Sequence, residues 1–439
     1  MSIFKAYDIR GIVGEQLDEA LAHDIGRGFA TLLKPKTVVI ARDMRPHSPG
    51  LAKALCEGLL KQGVDVIDVG LASTPMCYYA NGSLQADASI MITASHNPGE
   101  YNGFKLCRAN AVPISGATGI QELEQIVMDK AFDDPAAEAG SLSEHDIRPA
   151  YCEHIRSFAD IQRPLNICID YANAMGIAEA EVFGDLFSYD ELFADYDGSF
   201  PNHEANPLDE ETFEALQEKV RAGSYDFGIA FDGDADRVGF VDEHGDIVSM
   251  DIITALIADS LLESQKGVVF YDLRSSKAVK ELIEEKGGEA RMSRVGHAFI
   301  KAQMREAQAL FAGELSGHYY FQENYFTESS ALAALFIANK VSASGKTLSE
   351  LVKPIRKYFA SGEINSRVQD PSAVFAKVKD AYADANMFEL DGLSVEYGDW
   401  WFNVRMSNTE PLCRLNLECP TPEMMAEKRD EVLSLIRSC

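Results

Sequence analysis

Apolar residues in this chain gather into short, nearly continuous runs, separated by stretches in which they recur every three or four positions. TVVIAR (37–42), VDVIDVG (64–70) and ASIMITAS (88–95) read as strands, and the segment from about Ser48 to Lys61 reads as a helix. In that helix Leu51, Leu55 and Leu59 share one face, Ser48 is the expected N-cap and Pro49 sits in the first turn. The alternation recurs from LNICIDYA (165–172) to DFGIAF (226–231), and again from GVVFYD (267–272) to ALFAGE (309–314). Short continuous strands between helices predict parallel sheets covered on both faces.

The C-terminal part changes period. LSVEY (393–397), WWFNVR (400–405) and LCRLNL (412–417) are closely spaced strands. In the last, Cys413, Leu415 and Leu417 face one way while Arg414 and Asn416 face the other. Thr421-Pro422 opens a closing helix with Met425, Val432, Leu435 and Ile436 on its apolar side, completing a smaller α+β unit. SLSEHDIRPA (141–150) and ASGEINS (360–366) read as connections. The expected domains are 1–150, 151–250 and 251–362, each α/β, and 363–439, α+β.

At 439 residues the chain exceeds one ordinary domain. Its 69 acidic against 40 basic side chains give a net charge of −29, which repels nucleic acid and anionic membrane. The 8 cysteines lack CxxC spacing, as expected of a reduced cytoplasmic protein without a disulfide framework or zinc site. The start, MSIFKAYDIRG, is charged within five residues and does not read as a signal peptide, and no run reaches the ~18 apolar residues of a membrane span. Neither nucleic acid nor membrane is an expected partner, and the sequence assigns no oligomeric state.

Each α/β stretch has a strand that ends in an abrupt polar turn: TASHNP (93–98), DGDADR (232–237) and GELSGH (313–318). Ligands of open α/β sheets bind beyond the carboxyl ends of strands, so three such turns could line one cleft. Asp232, Asp234 and Asp236 alternate after an apolar strand, and three carboxylates aimed at one point call for a cation; all-oxygen ligation suits Mg²⁺. An EF-hand is excluded, although Glu243 falls at the twelfth position, because Arg237 takes the place of the sixth-position glycine and Val238–Val241 reads as a strand. A phosphatase of the haloacid-dehalogenase type, with Asp232 as nucleophile, stays open from this motif. In TASHNP, Ser95 is either a turn hydroxyl or, beside a divalent cation, a carrier of a phosphoryl group. RMSNTEP (405–411) is dense in donors, suiting a phosphate cradle, and Glu314, Ser316 and His318 suit sugar hydroxyls. SGKT (344–347) lacks the first glycine of a P-loop, and GRGFAT (26–31) does not follow a strand.

Taken together and in this order, these four motifs, with FKAYDIRG (4–11), STP (73–75), YNGFKL (101–106), RVGHAFIK (294–301) and SGEINS (361–366), resemble the α-D-phosphohexomutase family along essentially the whole chain. The resemblance implies four domains around a central cleft: three α/β mixed-sheet domains and a C-terminal α+β domain. It implies that Ser95 is a phosphoserine, holding Mg²⁺ together with Asp232, Asp234 and Asp236. Arg10, His96, Lys105 and Arg237 would surround the transferring phosphoryl group, with Tyr7 nearby. His297, Glu314, Ser316 and His318 would line the sugar pocket, and Arg405, Ser407, Asn408 and Thr409 would grip the phosphate that is not reacting. The implied reaction interconverts hexose 6-phosphate and hexose 1-phosphate through a hexose 1,6-bisphosphate, with Lys105 and His96 as acid–base candidates. Mannose is the expected sugar and glucose the alternative. Where relatives have Gly-Asn-Gly, this chain has Ala172-Asn173-Ala174, and alanine enters positive φ less readily.

Overall fold

The computed structural model describes residues 2–368, 370–406 and 412–438, with the side chains of 371 and 372 left aside. Four sheets follow one another along the chain. The first orders its main strands Ile9–Ile12, Tyr101–Arg108, Ala88–Ile92, Thr37–Arg42, Asp65–Leu71 and Leu142–Glu144. Thr37–Arg42 runs parallel to both Asp65–Leu71 and Ala88–Ile92, whereas Tyr101–Arg108 returns antiparallel. In the second, Phe227–Phe231 is parallel to Asn166–Asp170 and antiparallel to Val238–Asp242. In the third, Phe311–Gly313 is parallel to Val268–Asp272 and antiparallel to Tyr319–Phe321. The sheets are therefore mixed, not purely parallel as the apolar runs alone suggested. Each switches from parallel to antiparallel pairing at the polar turn: 93–100, 232–237 and 314–318 are the same structural position in three successive sheets. A chain that reverses there needs no crossover helix, which leaves that end of the sheet open.

The fourth sheet pairs Phe359–Ala360 and Ile364–Arg367 with Leu412–Cys419, followed by Trp401–Met406, Leu393–Glu396 and Asn386–Phe388, antiparallel throughout. The helix Pro422–Arg437 covers it, with Thr421 accepting from Met424 N as N-cap and Val432, Leu433 and Ile436 buried.

Alternation in the first sheet sends Val38 and Ile40 to one core and Val39 and Ala41 to another. The first of these cores lies under the helices Glu19–Leu33 and Ser48–Lys61, which cross closely because Gly26 carries no Cβ; one placed there would sit 2.3 Å from the Leu55 carbonyl. GRGFAT is thus a helix-packing feature. In the helix Ser48–Lys61, Leu51, Leu55 and Leu59 are buried as the spacing predicts, but Ser48 is not its N-cap. The cap is His47, without a side-chain bond, because the Ser48 hydroxyl donates to buried Asp43 at 2.5 Å and accepts from Asn102 at 2.9 Å.

Candidate active site

The three reversal turns meet. Ser95 follows the strand Ala88–Ile92 in left-handed backbone (φ 51°), nearly buried, with its N–H donating to Thr93 Oγ1 at 2.9 Å. Its hydroxyl donates to Asp232 Oδ2 across 3.0 Å and lies 3.3 Å from His96 Nδ1. Gly233 makes this approach possible: a Cβ there would stand 2.2 Å from the Ser95 carbonyl oxygen.

Asp232, Asp234 and Asp236 are all buried, and each offers an oxygen within 4.8 Å of the others. Lys105 supplies positive charge, its Nζ 2.6 Å from Asp234 Oδ2 and 2.5 Å from Asp236 Oδ2. The ammonium expected beside the transferring phosphate is thus ion-paired with the carboxylates. Arg237 grips Asp232 twice, through its backbone N–H to Oδ1 at 3.2 Å and its Nε to Oδ2 at 2.9 Å. Asp234 Oδ1 and Asp236 Oδ1 are buried and have no hydrogen-bond partner. Carboxylate oxygens that accept no hydrogen bond, beside a serine hydroxyl in an all-oxygen set, fit a hard divalent cation such as Mg²⁺.

The sugar-turn residues join the group through His318, whose Nε2 lies 3.4 Å from Asp236 Oδ1 and whose Nδ1 lies 2.8 Å from Ser316 Oγ and 3.4 Å from Glu314 Oε2. Glu314 accepts from Gly296 N at 3.0 Å and from Tyr320 OH at 2.5 Å. His297 packs 6.5 Å from the His318 ring and 5.5 Å from that of Tyr7, bringing the N-terminal segment to the third domain. Arg10 binds Asn97 Oδ1 at 2.6 Å, on the serine turn. Arg405 stands apart, paired with Glu363 at 2.5 Å, and Ser407, Asn408 and Thr409 lie outside the described residues.

Electrostatics divide these groups. Burial, aided by Arg237 and Arg10, pushes the His96 imidazole down to about 2 and keeps it neutral. Burial opposes a charge on Lys105, yet Asp234 and Asp236 outweigh it and hold the ammonium well above its usual range. Burial also opposes a charge on His318, but Asp236 and Glu314 lift it to about 9. Burial raises Asp232 to about 7 against the pull of Arg237, with the other two carboxylates adding to the rise.

Sequence reasoning missed Arg45. Fully buried, it donates to the carbonyls of Ser95, Asn97, Pro98 and Tyr101 at 2.6–3.0 Å, so one guanidinium shapes the whole serine turn, and its Nε is tied to Asp43 at 3.2 Å. Arg274 forms the same Asp-x-Arg pair in the third domain with Asp272, which accepts from Leu315 N at 2.8 Å on the sugar turn. The repeated D-x-R just beyond a strand, DMR (43–45) and DLR (272–274), was the available signal. The second domain places His203 where the arginine would be, 3.1 Å from Asp170.

Among the described residues, no helix is long and apolar enough to cross a membrane. Residues 1–134, 149–245 and 249–358 match the phosphoglucomutase/phosphomannomutase alpha/beta/alpha domains I, II and III, and 363–435 match the C-terminal domain of the same family. A phosphomannomutase of Methanocaldococcus jannaschii is 41% identical over 444 residues, spanning 99% of this chain and 98% of that protein. One of Escherichia coli is 37% identical over 454 residues, spanning 100% and 99%. A crystal structure of a phosphoglucomutase/phosphomannomutase family protein from Burkholderia thailandensis superposes with a TM-score of 0.92 at 33% identity, over 99% of this chain and 97% of that one. With its domains matched in order and its relatives aligned end to end, the chain belongs to the phosphoglucomutase/phosphomannomutase family and is a phosphohexomutase.

Proposed function

We propose that this enzyme is a phosphomannomutase, interconverting mannose 6-phosphate and mannose 1-phosphate through a phosphorylated Ser95 and a hexose 1,6-bisphosphate. The observation that carries it is the Ser95 hydroxyl 3.0 Å from Asp232, within the group of three buried carboxylates. The names of the relatives at 41% and 37% identity favour mannose, with glucose as the alternative sugar. Asp232, Asp234, Asp236 and Ser95 would hold Mg²⁺, which would neutralise charge on the transferring group.

In the transfer the bond from phosphorus to Ser95 Oγ breaks as a bond to the sugar's free hydroxyl oxygen forms, and that hydroxyl releases its proton. Of the two acid–base candidates, His96 is held neutral and has the lone pair to take that proton, whereas Lys105, held as an ammonium, supplies positive charge and has a proton to give in the reverse direction. Arg10 and Arg237 stabilise the charge that spreads over the phosphoryl oxygens. Glu314, Ser316, His318 and His297 orient the sugar, with Tyr7 at its edge. Arg405, together with Ser407, Asn408 and Thr409, takes the distal phosphate. Closure of the C-terminal domain excludes water and protects the phosphoserine from hydrolysis. The enzyme is cytoplasmic, with a small phosphosugar as its partner.

A phosphatase using Asp232 is disfavoured because both oxygens of that carboxylate are engaged, by Ser95 and by Arg237. Intact mass tests the reading. Treatment with hexose 1,6-bisphosphate should add one phosphoryl group to the wild type and none to Ser95→Ala, whose mutase rate should drop by about a thousandfold or more. A Ser95→Ala protein that still turned over, releasing free phosphate, would establish the phosphatase instead. Primed assays of mannose 1-phosphate against glucose 1-phosphate decide the sugar.

A further inference from the structure

The acidic loop lies in the second domain, but part of its shape is imposed by the first. The helix Thr74–Ser83 begins at Ser73, whose hydroxyl accepts from Met76 N as N-cap. Thr74, the first residue of the helix and fully buried, makes two bonds to one residue of the acidic loop. Its N–H donates to the Asp234 carbonyl at 3.0 Å, and its hydroxyl donates to Asp234 Oδ2 at 2.5 Å. Both oxygens of this carboxylate are then accounted for. Oδ2 faces Thr74 and Lys105, whereas Oδ1 is left buried without a hydrogen-bond partner, alongside Asp236 Oδ1.

The junction behind Thr74 is braced from all sides. Ser73 also donates to Glu179 Oε1 of the second domain, and Glu179 Oε2 accepts from Tyr151 OH at 2.9 Å. Ser330 of the third domain donates to the Ala235 carbonyl at 2.6 Å, next along the loop from Asp234. Thr74 is thus held at a fixed position against the loop.

We propose that Thr74 is a positioning residue for the divalent cation: by binding Asp234 Oδ2 it sets the carboxylate so that Oδ1 faces the ion. A hydrogen bond to the second oxygen of a ligating carboxylate fixes its rotation and lowers the reorganisation needed when the ion binds. Asp234 reaches the triad already oriented by a residue 160 positions away in sequence. The inference rests on reading Asp232, Asp234 and Asp236 as the cation site.

The test is calorimetric titration of the full-length protein with Mg²⁺ and Mn²⁺, using wild type, Thr74→Val, Thr74→Ala, Thr74→Ser and Asp234→Asn. Loss of the hydroxyl in Thr74→Val should weaken cation binding by roughly 10–100-fold, the range seen when an outer partner of a ligand is removed. Thr74→Ser, which keeps the hydroxyl, should stay near wild type. In turnover assays the Mg²⁺ concentration for half activation should rise in Thr74→Val, while kcat recovers at saturating Mg²⁺. Melting without added metal identifies any variant that fails to fold; should Thr74→Val fail, Thr74→Ala carries the same comparison. Folded Val or Ala variants that bind the cation as tightly as wild type would overturn the proposal. Wild type and Asp234→Asn binding alike would instead overturn the reading of the carboxylates as the site, and the proposal with it.

Discussion

The first three domains and the fourth are joined by different physics. A single continuous apolar core runs from Val39 and Met76 in the first domain, through Ile167 and Phe231 in the second, to Phe311 and Leu335 in the third. The fourth domain keeps a core of its own around Phe402, Val404, Leu415 and Ile436. It meets the third largely through polar groups. Glu418 accepts from Lys277 N at 3.0 Å, Lys277 Nζ donates to the Gly398 carbonyl at 2.6 Å, and Asp391 accepts from Val295 N at 3.3 Å. Shared apolar surface resists separation over its whole area, whereas a few hydrogen bonds can be exchanged for water at small net cost. The serine, acidic and 313–318 turns therefore share one apolar body, and Arg405, the distal-phosphate candidate, sits outside it, on the domain whose closure is proposed above.

The strongest way to break that comparison is a mirrored pair of core truncations. Phe231 and Phe402 are both buried, one in the shared core and one in the private core. Each truncation to alanine should cost about 3–5 kcal/mol. Phe402→Ala should lower only the calorimetric transition of the fourth domain, and Phe231→Ala only that of the other three. If both variants shifted one common transition equally, the division into two bodies would be wrong.

Arg45→Met probes how the serine turn is tied into the larger body. It leaves Asp43 buried without its ion-pair partner and removes the donor to four carbonyls, so a loss of about 3–5 kcal/mol is expected in denaturant titration. Slower phosphorylation of Ser95 by hexose 1,6-bisphosphate should accompany it, with the fourth domain's transition unmoved. A variant of unchanged stability would remove Arg45 as the organiser of the turn.

How much of this was legible in the sequence follows from distance along the chain. Strands declared themselves because burial on both faces needs an unbroken apolar run, and the polar turns showed because each interrupts such a run. Lys105 and the aspartates were found as types, but their pairing was not, since it depends on how the Tyr101–Arg108 strand packs against a different domain. The D-x-R repeat and STP mark where Arg45 and Thr74 stand, but their contacts were out of reach for the same reason: their partners lie 50–56 and 160 positions away. Ser48 misled because a local rule, serine before a helical period, was outcompeted by buried Asp43. The reversal of strand direction at each motif left no mark on the apolar runs, which look alike whether a neighbouring strand is parallel or antiparallel.

A carboxyl inside the shared body gives a smaller effect with a definite sign. Burial raises Glu179 from 4.5 to about 7, against the hydrogen bonds from Ser73 and Tyr151. With the folded value above the unfolded one, the folded state binds more protons between those limits. The contribution to stability is complete below the unfolded value and is lost as pH rises through about 7. Glu179→Gln should flatten this dependence, with a difference between variant and wild type that grows from pH 5 to pH 8 to on the order of 3 kcal/mol at most. Parallel stability–pH curves for the two proteins would contradict it.

The smallest effect concerns Ala172-Asn173-Ala174, at the end of the strand Asn166–Asp170. Ala172 and Asn173 both adopt left-handed backbone, φ 48° and 59°, so the loop takes this conformation without glycine. Asn173 tolerates it and is held by its side chain, donating to the Asp195 carbonyl at 2.9 Å and accepting from Asn202 at 2.7 Å. Ala172 carries the strain, about 1–2 kcal/mol, while its buried methyl packs beside Ala174 and Ala205. Ala172→Gly would relieve that strain but lose about 0.8 kcal/mol of methyl burial and loosen the unfolded chain by about 0.4–1 kcal/mol. These effects nearly cancel, and a change within about 0.5 kcal/mol is expected in denaturant titration. Ala174→Gly has no such strain to relieve and should cost about 1–2 kcal/mol. Equal losses at the two alanines would mean that position 172 is unstrained and that the loop has another shape in solution.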